Sequence, residues 1–279
     1  MAGGLAFAAV FVAWATPRAA WRAGIVVALR RGFDRLLASW AWFLPGAGVA
    51  LFHLVAVNFI EPNLRPWWLA TTGVDFTAGI VAIEDGFVRS FDAIHTPVLT
   101  WLVTWFYLAV HHGFVVIAPI WLLATGETRL GRRLIVGIVA TYLLAQPGFL
   151  LLPIDNPTVH YHGADAPTLM ESVFPGVDAV FYRGTTIDNT LPSMHIGLAF
   201  LGFWHGRQSS NRRMRVFATV YAPLVAFSVL YLQVHWALDV VGGILVAWLG
   251  TRSAAWLVPR IEARGRARAS TGNAPLSLK

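Results

Sequence analysis

Along this chain, apolar runs of membrane-crossing length alternate with short segments where arginine or acidic residues collect. Six such runs lie at about 39–60, 97–123, 134–152, 191–206, 216–234 and 236–258. A helix crossing ~30 Å of hydrocarbon needs ~20 predominantly apolar residues, so five of the runs suffice and 191–206 is short. Pro45, Pro119, Pro147 and Pro223 fall inside runs, where neighbouring helices take up the freed carbonyls. Ahead of the six, residues 2–16 are apolar and uncharged, yet short for a span. Residues 17–38 carry Arg18, Arg22, Arg30, Arg31 and Arg35 among apolar side chains, the pattern of a basic amphipathic helix lying on an anionic leaflet. A first span running from the N-terminus into this segment is the alternative. The expected fold is an all-α integral membrane protein. It has an N-terminal apolar and amphipathic segment (1–38), a six-transmembrane-helix bundle (39–258) and a basic tail (259–279), the tail expected to be disordered.

Charge orients this bundle. The four segments 17–38, 124–133, 207–215 and the tail hold most of the arginine, including Arg129, Arg132, Arg133, Arg212, Arg213 and Arg215. By the positive-inside bias all four are cytoplasmic. Loops 61–96 and 153–190 are more acidic and fall on the other side, and the span count between segments agrees. The 21 basic against 14 acidic residues would suggest nucleic acid for a soluble protein. Here they read as topology signals, because the chain is 57% hydrophobic and only 13% charged. Thirteen tryptophans suit a membrane–water boundary. The absence of cysteine excludes disulfides and thiolate metal sites.

Two polar stretches interrupt the oily pattern: Asp188-Asn189-Thr190-Leu191-Pro192-Ser193-Met194-His195 and His235-Trp236-Ala237-Leu238-Asp239. Ionisable groups inside membrane runs are costly, and their default reading is functional. His235 and Asp239 are four apart, which puts both on one helix face. The carboxylate can then hold one ring nitrogen and leave the other free, or the pair can simply satisfy itself in the bundle. Both stretches begin spans on the acidic side, so His195, His235 and Asp239 are expected to meet near the outer membrane face. Ser193 and the first N–H groups after Pro192 form a possible phosphate cradle, since a helix N-terminus offers unpaired donors. Helix capping by Ser193 or Thr190 is the other reading. Arg183 is the only arginine in loop 153–190 and the candidate phosphate-binding cation on that side.

The segments Pro192-Ser193-Met194-His195 and His235-Trp236-Ala237-Leu238-Asp239 resemble the second and third motifs of the type 2 phosphatidic acid phosphatase superfamily. Met194, where the phosphatases usually carry glycine, looks closer to the inositol phosphorylceramide synthase branch, an inositolphosphotransferase type. The family's first motif, a lysine followed by Arg-Pro, has no recognisable form here. The resemblance implies a lipid phosphatase or phosphotransferase that needs no cofactor. It implies that His235 attacks phosphorus to form a phosphohistidine, Asp239 fixes the ring tautomer and stabilises positive charge on it, and His195 serves as acid and then base. The partners would be a phosphorylated lipid and water or an alcohol acceptor, in a multi-pass cell-membrane protein.

Other readings stay beside this one. His160 and His162 would point the same way from an extended segment and could join a metal site, although no ligand spacing compels it. His111 and His112 fall mid-membrane and are read as bundle residues satisfied by hydrogen bonds. A proton- or ion-coupled transporter would also use buried histidine and aspartate, but it needs ionisable groups spread across the bilayer rather than gathered at one face.

Overall fold

The computed structural model describes residues 2–16, 25–84, 86–182, 185–186 and 188–272. The described chain is all-helical apart from one isolated bridge between Ile154 and Asn189. In chain order the helices are α1 (Ala2–Ala15), α2 (Ile25–Leu37), α3 (Trp40–Thr72), α4 (Thr77–Glu84) and α5 (Pro97–Thr125). After them come α6 (Thr128–Leu151), the short α7 (Pro157–His162) and α8 (Val177–Phe181), then α9 (Met194–Gly206), α10 (Arg212–Tyr231) and α11 (Ala237–Gly272).

Among the described residues, five helices are long and apolar enough to cross a membrane: α3, α5, α6, α10 and most of α11. The expected count of six is corrected at run 191–206. Pro192 cannot supply an N–H, Ser193 adopts an extended backbone as the N-cap, and α9 starts only at Met194. Its 13 residues rise about 20 Å, well short of the hydrocarbon thickness. Packing against α6, α10 and α11 buries α9 in the middle of the bundle. Two other expectations change. Run 39–60 continues as helix to Thr72, and α11 passes through Pro259 to Gly272 where a disordered tail was expected.

Helix α1 is short, but its face is not idle. Phe11 and Ala15 are buried, and Phe11 meets Phe114, Trp121 and Phe217 edge-on. Helix α2 leaves Leu29, Phe33 and Leu37 exposed, as an interfacial helix would. Exposed Leu51, Phe59, Val98, Val241 and Leu245 on the long helices likewise suit a hydrocarbon surround rather than water.

The basic segments gather at one end of the bundle. Arg132 pairs with Glu262 at 2.9 Å, Arg35 donates to the Ala124 carbonyl at 2.9 Å, and Glu127 accepts from Ser209 and Ser210, both at 2.8 Å. Helices α6 and α10 leave that end, and α9 and α11 run back to it from the other. The two polar stretches therefore sit at the end opposite the arginines.

Glycine sets how closely the central helices approach. A Cβ on Gly243 of α11 would lie 2.5 Å from the Ser193 carbonyl oxygen and 2.7 Å from Ile196 Cβ. The first of these is backbone, so the two helices would have to part. Gly243→Ala is expected to lower activity by about tenfold or more, since small misplacements in a site cost rates of that order. Gly265→Ala, with nothing within 4 Å, should leave activity unchanged in the same assay.

Candidate functional site

At the end opposite the arginines, the first turns of α9 and α11 meet. Asp239 is fully buried, and its Oδ2 accepts from two groups: the His235 Nδ1–H at 3.2 Å and the Trp236 backbone N–H at 2.9 Å. The second bond is an acidic residue reaching back to close the start of its own helix. Glu84 takes another first-turn donor of α11, the Leu238 N–H, at 2.7 Å. Burial pushes the Glu84 carboxyl up from the ordinary carboxylate range, against the lowering effect of that bond. Trp236 is fully buried, and its indole N–H donates to the Asp155 carbonyl at 2.8 Å, fixing the loop ahead of α11.

With Nδ1–H given to Asp239, a neutral His235 carries its lone pair on Nε2. That nitrogen lies 3.3 Å from Nδ1 of His195, the second residue of α9. Ser193 holds α9 in place: its N–H donates to the Asp239 carbonyl at 3.1 Å, and its hydroxyl accepts from the Ile196 N–H at 3.4 Å. The capping geometry expected for Ser193 is thus present, with the residue fully buried. Thr190 is tied elsewhere, donating to the Ile154 carbonyl at 3.2 Å.

The remaining edge of His195 faces α5, which the sequence reading had left out of the site. Tyr107 Oη lies 2.7 Å from His195 Nε2, and Tyr107 is fully buried. The rings of His111 and His112 stand 5.4 Å and 5.8 Å from that of His195. His111 Nδ1 is 2.7 Å from Tyr221 Oη, and the His112 Nδ1–H donates to the Tyr107 carbonyl at 3.0 Å. The expectation that these two histidines are satisfied by hydrogen bonds agrees with this; their place beside His195 was missed. The cause is a π-helical turn at Phe106–His111 inside α5. A wider turn brings residues i and i+5 closer to one face, so Tyr107, His111 and His112 all look toward α9. Such turns are frequent at functional sites. The doubled histidine in an apolar run was the one available signal.

The other predicted positions fall as follows. Arg183 lies outside the described residues. Phe181, two residues before it, has its ring 6.4 Å from that of His195 and nearly parallel to it. His160 and His162 are in the short helix α7, not an extended segment, because Asn156 caps it and Pro157 opens it. His160 packs on Trp236 at 5.7 Å, and His162 Nε2 lies 3.4 Å from Gln233 Oε1. Among the described residues, no three histidine, aspartate or glutamate side chains are grouped to hold a metal ion.

Chemically, the site offers two imidazoles that meet through ring nitrogens 3.3 Å apart, with a buried carboxylate behind one and a phenol behind the other. Comparison with curated proteins and with solved structures gives no match. Residues 84–252, more than half of the chain and the whole of the arrangement just described from α5 to α11, match the PAP2 superfamily. The chain therefore belongs to the PAP2, or type 2 phosphatidic acid phosphatase, superfamily, and membership supports an enzyme of that phosphatase and phosphotransferase class.

Proposed function

We propose that this protein is a membrane-embedded lipid phosphatase or phosphotransferase that works through a phosphohistidine on His235. The observation that carries the reading is the line Asp239 Oδ2, His235 Nδ1, His235 Nε2, His195 Nδ1, with spacings of 3.2 Å and 3.3 Å on either side of the His235 ring. A phosphoryl group that parts the two rings and takes the place of their hydrogen bond would meet the His235 lone pair on one side and a proton donor on the other. As the P–N bond forms and the ester P–O bond breaks, the His195 Nδ1 proton goes to the departing oxygen. Water or an alcohol then returns a proton to His195 and takes the phosphoryl group from His235. Asp239 stabilises the positive charge on the phosphorylated ring.

The first-turn N–H groups of Met194 and His195 have no helical partner, and with the capped start of α9 they are proposed to bind phosphoryl oxygens. Arg183 is proposed as the accompanying cation, supported by the place of Phe181 against His195. Activity should survive EDTA, fall about tenfold or more in Arg183→Ala, and recover partly in Arg183→Lys. Loss on chelation with return on added zinc or magnesium would remove His235 from the nucleophile role.

The reading places the site on the extracytoplasmic side. Single cysteines at the exposed positions Ala164 and Gln208 test this in a chain that has none of its own. An impermeant thiol reagent on intact cells should label Ala164→Cys and not Gln208→Cys; the reverse pattern puts the site inside.

Purified protein supplied with a panel of lipid phosphates, with and without diacylglycerol or inositol, tests the function directly. Release of inorganic phosphate marks a hydrolase, and a new phosphodiester marks a head-group transferase of the inositolphosphoryl type. Met194 is the residue that favours the second outcome. Failure on every lipid would sink the proposal.

A further inference from the structure

Resting on the phosphoryl-transfer reading, we propose that Tyr107 is the positioning residue of His195, holding the proton that His195 delivers on the nitrogen that faces phosphorus. The argument starts from proton counting. His235 Nδ1–H is committed to Asp239, so a neutral His235 presents a bare Nε2 toward His195. At 3.3 Å, a hydrogen bond between the two rings then requires the proton on His195 Nδ1. A neutral His195 with its proton on Nδ1 has a bare Nε2, and the group 2.7 Å away is the Tyr107 hydroxyl, a donor. The bonds run in one direction: Tyr107 O–H to His195 Nε2, His195 Nδ1–H to His235 Nε2, His235 Nδ1–H to Asp239.

A phenol is suited to this place because it can also reverse. To protonate a leaving oxygen His195 must first take up one proton from the medium; as the imidazolium it keeps one proton on Nδ1 and carries the second on Nε2. The Tyr107 oxygen accepts it by turning its own O–H away. When the Nδ1 proton has gone to the leaving group, the ring is neutral with the proton kept on Nε2. The bare Nδ1 then faces the incoming water or alcohol and takes its proton. In all three states Nε2 has a partner, and Nδ1 alone changes hands with substrate. Tyr107 is fully buried beneath His195, so solvent is poorly placed to serve instead. The π turn at Phe106–His111, with the His112 side chain bonded to the Tyr107 carbonyl at 3.0 Å, sets its direction.

Tyr107→Phe removes one oxygen and keeps the ring. With phosphatidic acid in mixed micelles, it is expected to lower kcat about 10-fold to 100-fold and leave KM within about twofold. The alkaline limb of the kcat profile, where His195 loses the proton it must deliver, should move to lower pH, because the imidazolium loses its acceptor. A second readout needs no turnover. In nitrogen-15 histidine spectra of the wild-type protein, with His195 assigned by its loss in His195→Gln, the neutral ring should be the Nδ1–H tautomer, the less common form in water. Tyr107→Phe should shift it toward Nε2–H. A wild-type His195 found as Nε2–H, or a Tyr107→Phe enzyme with unchanged kcat and pH profile, overturns the assignment. If Tyr107→Phe fails to fold, the wild-type tautomer decides alone. A protein that holds the Nδ1–H tautomer yet turns over no lipid phosphate fails as an enzyme of this class while keeping the Tyr107 bond, so the two failures are distinguishable.

Discussion

Replacing His235 with alanine is expected to lower turnover of a lipid phosphate by at least about 10⁴-fold, the scale of losing a nucleophile that acts as part of a unit. Among the described residues of the site, His235 is the ring with a carboxylate on one nitrogen, and its other nitrogen faces His195. Removing it takes away both the attacking atom and the group that carries positive charge in the intermediate. The measurement is a rapid quench of protein with lipid carrying labelled phosphorus. Wild type should retain a phosphoryl label that is lost in acid and stable in base, as a P–N bond is, and His235→Ala should retain none. His195→Ala should differ in kind, forming the label slowly when the leaving group is poor. A wild-type enzyme that turns over with no trapped label points to direct attack by water.

Asp239→Asn is the second large effect, expected at about 10³-fold or more in kcat. The change is almost isosteric, but Oδ2 serves two donors at once, the His235 ring and the Trp236 backbone. An amide oxygen in the Oδ2 place can keep both bonds, but it carries no charge to stabilise the positive ring of the intermediate, and its NH₂ takes the buried place of Oδ1. If the amide turns over, its NH₂ meets both donors. The ring is then driven to the other tautomer, with Nε2 protonated and unable to attack, and the helix start loses a bond worth about 1 kcal/mol. The two outcomes separate by pairing kcat with thermal unfolding in detergent. A large kcat loss at nearly unchanged unfolding temperature supports the role of the carboxylate charge on the His235 ring. Equal losses in both indicate that Asp239 mainly closes α11.

Part of this site was legible before any fold. His235 and Asp239 reveal their pairing by a spacing of four, because helix periodicity is a property of the local chain. That both polar stretches gather at the end of the bundle away from the basic segments followed from where arginine collects, since charge is costly to move through hydrocarbon wherever it sits in the fold. The class of the protein followed from the length of its apolar runs for the same local reason.

What failed were inferences that assumed regular helix or strand across a point where packing decides. Run 191–206 reads as a span, but the Pro192-Ser193 break delays the helix to Met194, and neighbouring helices shelter the short segment that remains. His160 and His162 would share a side only if their segment were extended, and Asn156 and Pro157 start a helix there instead. Tyr107 gave no signal, because its approach to His195 depends on one π turn and on glycine letting α9 lie against α11. By itself, then, the sequence determined the membrane class, the gathering of the polar motifs at the end away from the arginines and the His235–Asp239 pair, all of which depend on residues near one another in the chain. Only the tertiary structure decided the 3.3 Å meeting of the two histidines and the phenol behind His195, because those distances are set by how closely helices far apart in sequence can pack.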